Sequence, residues 1–450
     1  MVTKLIFLLV IVLAVVAVSQ LMRLYEISSI LKNRNEYEIS RSQNKINGFL
    51  MLLFMIVFFG SMIYLMANVG WNGLGESATK HGESIDWLMK MNMIIVFIVF
   101  FSTNFILFYF AFKYQHKPGA KALYFTHSGK LELIWTAIPS SALLIIVILG
   151  LKVWNETTSL PSKDAVVIEI YSKQFDWTAR YAGKDNKLGK FDYKLTTDRN
   201  LLGIVNSETL EYAIDKMKND SLLGIDAIDK KLNSRDLVFS AEEREKLTQT
   251  LHRNEEIYRL LVQLRNRFDK SLDAQSWDDI IVAGPAEKLY LCKDQEYEFN
   301  FRSKDVIHSA LIPAFRLQMN TVPGQTTRFK FTPTVTTKEE RAKRNDSKYN
   351  YYLVCNKICG SSHYKMYMEI EVLEKEEYDA VMKALNFGGD LISPKDQEIA
   401  KRVFGESLPK AHSFKAMFKA SAPAPAAPVA SAVADSSATA VVDSTAVAVK

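Results

Sequence analysis

Four apolar runs fill the first third of the chain, roughly Leu5–Met22, Phe49–Ala67, Met91–Phe112 and Leu133–Leu151. A helix that crosses a bilayer needs about 20 mostly apolar residues. The second to fourth runs meet that length without a charged interruption. The first admits two readings, because Lys4, an apolar core and "AVSQ" also fit a signal peptide with its cleavage site. Loop charge bears on the choice. Residues 23–47 carry Arg23, Lys32, Arg34, Arg41 and Lys45, and residues 113–132 carry Lys113, Lys117, Lys121 and Lys130. Residues 68–90 carry only Lys80 and Lys90, beside Glu76, Glu83 and Asp86. The excess of positive charge on cytoplasmic loops places the first and third loops inside. Four retained helices satisfy that pattern with both termini outside, whereas removal of the first would leave the C-terminal domain inside.

After Trp154 the pattern changes. "AVVIEIYSKQFDWTARY", "KLYLC", "YEFNFRS", "TTRFKFTP", "YYLVC" and "MYMEIEVLE" are short β-branched and aromatic runs that predict strands. Several such strands within about a hundred residues predict a β-sandwich or barrel. Residues 183–275 interrupt them with a helical pattern. Ser240 and Glu243 form a capping-box signature, and Ile257, Leu260, Leu261, Leu264 and Phe268 recur at helical spacing. That stripe either packs on the insertion's other helix, "SETLEYAIDKMKND", or offers a partner an apolar face. Residues 376–420 read as a helical extension. Residues 421–450, rich in Ala, Pro, Val and Ser without aromatics, read as a disordered tail.

Composition narrows the function classes. The chain has 450 residues, so two or three domains are expected. Hydrophobic residues make up 48% of it while mean hydropathy is near zero, as apolar blocks balanced by polar ones require. A net charge of +6 makes no case for nucleic acid. Three cysteines exclude a disulfide framework. No phosphate loop or haem-attachment motif is present.

Two of those cysteines sit in "YYLVCNKICGSSHYKMYMEIEV". Cys355, Cys359, His363 and Met366 fall within twelve residues of chain, and His308 lies between two strand-like runs in "DVIHSALIP". Thiolate and thioether are soft ligands, and imidazole suits copper. Two cysteines at this spacing could bridge two coppers, spreading one electron over both with little change of geometry. Zinc normally recruits Cys and His without Met, and a disulfide between the cysteines would leave His363 and Met366 unexplained. Copper, zinc and a structural role all remain open at this point. Cys292 reads as a buried thiol, and His81, His252 and His412 read as surface residues.

The ordered set "DVIHS…P…VPG…C-x-x-x-C-G-x-x-H-x-x-M" resembles the binuclear copper A signature of cytochrome c oxidase subunit II. "HSGKLELIWTAIP" resembles the start of that family's second helix, and "KQFDWTARY" resembles the aromatic segment that opens its cupredoxin domain. These matches span residues 91–182 and 276–375 and leave out the first two helices, the insertion and the tail.

The resemblance implies an α+β membrane protein. Its parts are two additional N-terminal transmembrane helices (residues 1–90), the family hairpin (91–154), and a periplasmic cupredoxin-like copper A domain (155–375) with a helical insertion. It implies two copper ions held by His308, Cys355, the backbone carbonyl of Lys357, Cys359, His363 and Met366. The Lys357 position is usually Glu, whose carboxylate also holds a magnesium ion at the interface with subunit I. An ammonium cannot take that role, so the magnesium is doubtful. Gln318 and Asn320 replace the usual Lys and Asp nearby. Phe175 stands where the usual tryptophan receives electrons, Trp177 keeps the second aromatic, and Glu132 matches the cytoplasmic mouth of a proton channel.

The function implied is the electron-entry subunit of a bacterial cytochrome c oxidase in the inner membrane, where oxygen reduction and proton pumping reside in subunit I. The partners implied are the other oxidase subunits and a cytochrome c-type donor, which the altered Phe175 position beside the added helix suggests is held in a fixed respiratory assembly. Alternatives are the copper A subunit of another reductase or a membrane-tethered copper carrier. A quinol oxidase subunit lacks the copper ligands present here.

Overall fold

A computed structural model describes residues 2–31, 41–70, 75–117, 119–121, 123–284 and 286–421. Lys32, Arg34 and the expected tail, apart from Ser421, lie outside the described residues. The chain divides into two units, one formed by residues up to 156 except 78–81, the other by 78–81 and everything from Thr157 on.

The first unit holds four helices, α1 (Val2–Leu31), α2 (Arg41–Leu65, extended by a π-turn over Met66–Gly70), α3 (Lys80–Lys113) and α4 (Gly129–Thr158). Each contains a segment long and apolar enough to cross a membrane. The helices overrun the apolar runs. Arg23, Arg41 and Lys45, expected in a loop, are helical, as are Lys80, Glu83, Asp86 and Lys90. Hydrocarbon leaves no water to satisfy backbone groups, so a helix that continues past the apolar stretch costs nothing at the interface. Aromatic pairs join α2 to α3 along their length, with Phe49–Phe112 at 5.3 Å, Phe54–Phe108 at 5.4 Å and Phe59–Phe101 at 5.0 Å between centroids.

The second unit is a two-sheet sandwich. One sheet has the order β3-β2-β1-β5-β8 and the other β4-β10-β9-β6-β7. The strands are β1 (Val166–Lys173), β2 (Asp176–Tyr181), β3 (Ile280–Ala283), β4 (Lys288–Cys292), β5 (Tyr297–Ser303), β6 (His308–Ile312), β7 (Leu317–Thr321), β8 (Thr327–Phe331), β9 (Tyr351–Cys355) and β10 (Tyr367–Leu373). Their inward residues, among them Ile168, Ile170, Trp177, Phe299, Phe301, Phe315, Leu353 and Ile370, form one core. α9 (Thr337–Arg344) bridges β8 and β9.

Between β2 and β3 come α5 (Ser207–Asn219), α6 (Ile225–Asn233), α7 (Ala241–Arg267) and the single turn α8 (Ala274–Trp277). Ser240 caps α7, and Glu243 reciprocates. The apolar stripe of α7 is spent internally. Leu261 is fully buried, and Ile257, Leu264 and Phe268 pack with it against Leu210, Ala213 and Ile214 of α5. Only Leu260 remains at the surface, 36% exposed. The stripe therefore offers no docking face.

The insertion is fastened to the outer face of the first sheet by charge. Arg180 on β2 pairs with Asp279 and Glu169, and its guanidinium also donates to the Gly189 carbonyl at 3.0 Å. Arg302 on β5 pairs with Glu169 and donates to the Leu202 carbonyl at 3.3 Å. These side chains are buried because the insertion's loops cover them. Leu202 and Ile204 continue that cover over Tyr171 and Ile281.

Past the sandwich lie α10 (Lys375–Phe387), α11 (Pro394–Phe404) and α12 (Phe414–Ala420). The chain returns to β3, where the Phe414 N–H donates to the Asp279 carbonyl at 2.7 Å. Phe414 stacks on Trp277 at 5.5 Å.

Two histidines differ from the surface reading. His81 is 6% exposed and lies edge-on to Phe329, because residues 78–80 hydrogen-bond to Ala314 and Thr332 and carry it into the sandwich. His412 sits half-buried 3.2 Å from Glu287. His252 is exposed and Cys292 buried.

Replacing Arg180 with Met leaves two buried carboxylates short of a partner. It should lower stability by about 3–5 kcal/mol, read as the midpoint of denaturant unfolding. Leu261→Ala should cost about 2–5 kcal/mol within the insertion. Amide exchange of α5 and α7 should quicken while the sandwich strands stay protected.

Candidate metal centre

Two adjoining strands and one loop bring the soft side chains together. His308 opens β6 and Cys355 closes β9, and the two strands pair through Ala310 and Cys355. The loop that follows is pinned at its base, where the Cys355 N–H donates to the Met366 carbonyl at 3.1 Å and the Asn356 N–H to the Ser309 carbonyl at 2.9 Å. A 3₁₀ turn over His363–Lys365 sets His363 and Met366 on the inner side. Gly360 adopts φ +146°, and a Cβ there would sit 2.7 Å from the Phe175 ring. Only glycine fits both the conformation and the contact.

The cysteines are not bonded to each other; their sulfurs are 3.9 Å apart. His308 Nδ1 lies 3.8 Å from Cys355 Sγ, and His363 Nδ1 lies 3.6 Å from Cys359 Sγ. Met366 Sδ is 3.8 Å from Cys359 Sγ, and the Lys357 carbonyl is 3.2 Å from Cys355 Sγ. His308, Cys355 and Cys359 alone place one donor atom each within 4.8 Å of the others. A first-row metal bonded to nitrogen and sulfur at about 2.0–2.3 Å holds its ligands roughly 3.5 Å apart, so these separations suit shared coordination. The thioether favours copper over zinc.

His308, Cys355, Cys359 and Met366 are buried, and His363 is half-buried. Asp305 was not singled out from the sequence, yet it orients the site. Its Oδ1 lies 2.9 Å from His308 Nε2, which turns Nδ1 toward Cys355. The signal was present in "DVIHS", three residues ahead of the histidine. An outer carboxylate on a ligating imidazole fixes its tautomer and raises its basicity. Asp305 also accepts from the backbone N–H of Gln174 and of Val306, both at 2.7 Å. Gln174 reaches across to the Cys359 carbonyl at 2.5 Å.

The electrostatics separate the two thiols. Burial raises Cys355, but hydrogen bonds from His308 and nearby backbone groups outweigh it and bring the thiol down to about 6. Burial and the adjacent Cys355 push Cys359 up to about 11. Burial lowers His308, but its bonds to Cys355 and Asp305 raise it overall. Asp305 is held low by His308 and two backbone N–H groups despite its desolvation. The first thiol is thus primed to ionise, and a metal cation would have to draw the second proton away.

The other expected site residues fall outside this cluster. Phe175 is half-buried against the loop at Gly360. Trp177 has no exposed surface and stands edge-on to His308, centroids 6.2 Å apart. It is core beside the centre and cannot itself meet a donor, because β2 is covered on both faces. Glu132 is exposed in the first turn of α4, where its carboxylate accepts from the Ser128 N–H at 3.4 Å, as a helix N-terminus favours. Gln318 and Asn320 are exposed on β7.

Residues 67–153 match the family model of the cytochrome c oxidase subunit II transmembrane domain, and residues 282–373 match the model of its periplasmic domain. The chain is 23% identical over 332 residues to an alternative cytochrome c oxidase subunit 2 of Bradyrhizobium diazoefficiens, covering 73% of this chain and 89% of that relative. It is 21% identical over 319 residues to a cytochrome c oxidase subunit 2 of Cereibacter sphaeroides, covering 71% and 82%. Among solved structures it is similar to the periplasmic domain of subunit II of Bradyrhizobium japonicum cytochrome oxidase, with 16% identity, 50% of this chain and 96% of that one covered, and a TM-score of 0.24. The helices α1 and α2 and the insertion lie outside both family matches. The relatives are parts of an oxidoreductase complex, and this chain matches both domains of cytochrome c oxidase subunit II, the transmembrane and the periplasmic, in their order along the chain.

Proposed function

We propose that this chain is the electron-entry subunit of a bacterial haem–copper oxidase, with two copper ions held by His308, Cys355, the Lys357 carbonyl, Cys359, His363 and Met366. The observation that carries the reading is the donor set itself. Two unbonded thiols 3.9 Å apart are flanked by two imidazoles, a thioether and a carbonyl at 3.2–3.8 Å. Bound there, copper would supply one-electron chemistry that needs no proton transfer.

The chain's own residues set the conditions for it. Asp305 orients His308 so that Nδ1 presents its lone pair to the cluster. Burial of both cysteines and Met366 keeps water from the sulfurs. The pinned loop holds the ligand spacing whether or not an electron is present. In this reading electrons come from a cytochrome c-type donor and pass to haem in subunit I, where oxygen is reduced and protons are pumped. The sandwich and both termini lie on the periplasmic side of the inner membrane, and Glu132 lies near the cytoplasmic face. Phe175, half-buried beside Gly360, is the aromatic that a donor would reach. Lys357 supplies only its carbonyl, so no magnesium ion is expected against its side chain.

Replacing either Cys355 or Cys359 with Ser should abolish the two-copper centre, because a hydroxyl cannot bridge as a thiolate does. Met366→Leu should be milder, because the thioether is the weak ligand. Paramagnetic resonance of the copper-loaded protein is the measurement, and a delocalised two-copper signal persisting in the Cys355→Ser protein would sink the assignment. For the topology, a reporter fused after Asn47 should behave as cytoplasmic and one fused after Ser421 as periplasmic; the reverse pattern refutes the orientation.

A further inference from the structure

The copper loops present a surface whose charge has a definite sign. The β1–β2 turn, residues 304–307 and the loop from Cys355 to Met366 share one end of the sandwich, since Gln174 bonds to both Asp305 and Cys359. At that end stand Val306, 37% exposed, Ile307, 41%, and Tyr364, 77%, with half-buried Phe175. His363, the one ligating side chain that is not buried, opens onto the same end. It is the thinnest part of the insulation around the cluster, and electron transfer falls steeply with distance.

The charges around this apolar centre are mostly lysines. Lys304 and Lys365 are exposed and meet no carboxylate among the described residues, and Lys365 leans over the Tyr364 ring at 5.5 Å. Lys357 is exposed on the same loop. The carboxylates nearby are already engaged, and Asp192, which lines the same pocket as Lys304, pairs with Lys194 at 2.9 Å. Asp176 lies 3.8 Å from Lys173, and Asp305 holds His308 and two backbone N–H groups. Asp305 keeps its negative charge, but Lys304, Lys357 and Lys365 outnumber it, so the rim is net positive.

We propose that this end of the sandwich docks a redox protein with an apolar contact face ringed by acidic side chains, and that Lys304 and Lys365 select it. The proposal rests on the copper-relay reading and names the kind of donor that reading requires. Complementary charge sets the encounter rate and rejects partners of like charge more than it adds affinity. A basic, lysine-ringed donor would be repelled here.

The test uses the intact membrane-embedded oxidase and two probes, a basic cytochrome c and the same protein with its lysines succinylated. The rate of copper reduction is followed by stopped flow at increasing salt. The acidic probe should react about tenfold or more faster at low salt, and salt should slow it. The paired substitution Lys304→Glu and Lys365→Glu should reverse the order, with the copper absorption as the check on folding. If the paired variant does not assemble, the salt dependence of the unaltered oxidase decides. Equal rates, faster reaction of the basic probe, or an order unchanged by the substitutions would overturn the docking charge while leaving the copper reading in place. Absence of a delocalised copper absorption in the unaltered oxidase would overturn the relay reading, and the docking proposal with it.

Discussion

The centre depends on where β9 stops. Cys355 is the last paired residue of that strand, and two backbone hydrogen bonds just beyond it tie the loop back to β10 and to β6. With its base closed by the sandwich ladder, the loop has little freedom left. Closing a loop costs entropy; here the sheets meet that cost when the domain folds. His308 arrives from the adjoining strand by the same pairing. One register shift between β6 and β9 would turn His308 away from the thiols, which is why the cluster needs a sheet and could not be built on a free loop.

The same sandwich has to solve a second problem on its other sheet. Glu169, Arg180, Arg302 and Asp279 are all buried, and charges removed from water are costly unless paired. They are paired with one another and with the carbonyls of Gly189 and Leu202, which belong to the insertion. The insertion's stem is thus a structural partner of β1, β2 and β5, while its distal helices α5 and α7 keep a core of their own. The two parts differ in what they cost to remove. Losing the distal helices exposes little of the sandwich; losing residues 189–204 uncovers a charged network.

The strands and the ligand set were readable in the sequence for different reasons. Short β-branched and aromatic runs bounded by polar residues allow few interpretations. Cys355, Cys359, His363 and Met366 crowd into twelve residues of chain, which marks a candidate metal site while leaving copper, zinc and a structural role open. What escaped depends on contacts distant in sequence. His81 sits in a polar stretch, and nothing local shows that residues 78–80 bond to Ala314 and Thr332. Asp305 stands next to the motif, but its role appears only when His308 Nε2 is seen to face it. Trp177 was legible only as the second aromatic of its segment; that it is core beside His308 shows only in the fold, where β2 has neither face wet. The stripe on α7 marked an apolar face correctly but could not name what covers it.

The two imidazoles are treated unequally, and that inequality gives the site a direction. His308 is sealed in the core, locked by Asp305 and flanked by Trp177. His363 sits half-exposed, with its Nδ1 3.6 Å from Cys359 Sγ. A relay of the kind proposed above would exchange electrons with one protein while keeping water and other reductants from its interior. Rigid, buried ligands serve the second need and an accessible edge serves the first. Placing the accessible histidine on the loop and the locked one on a strand assigns those needs to the elements suited to them. The loop can present its surface residues, Ile358, Tyr364 and Lys365, to a partner without disturbing the strand that holds the inner half of the cluster.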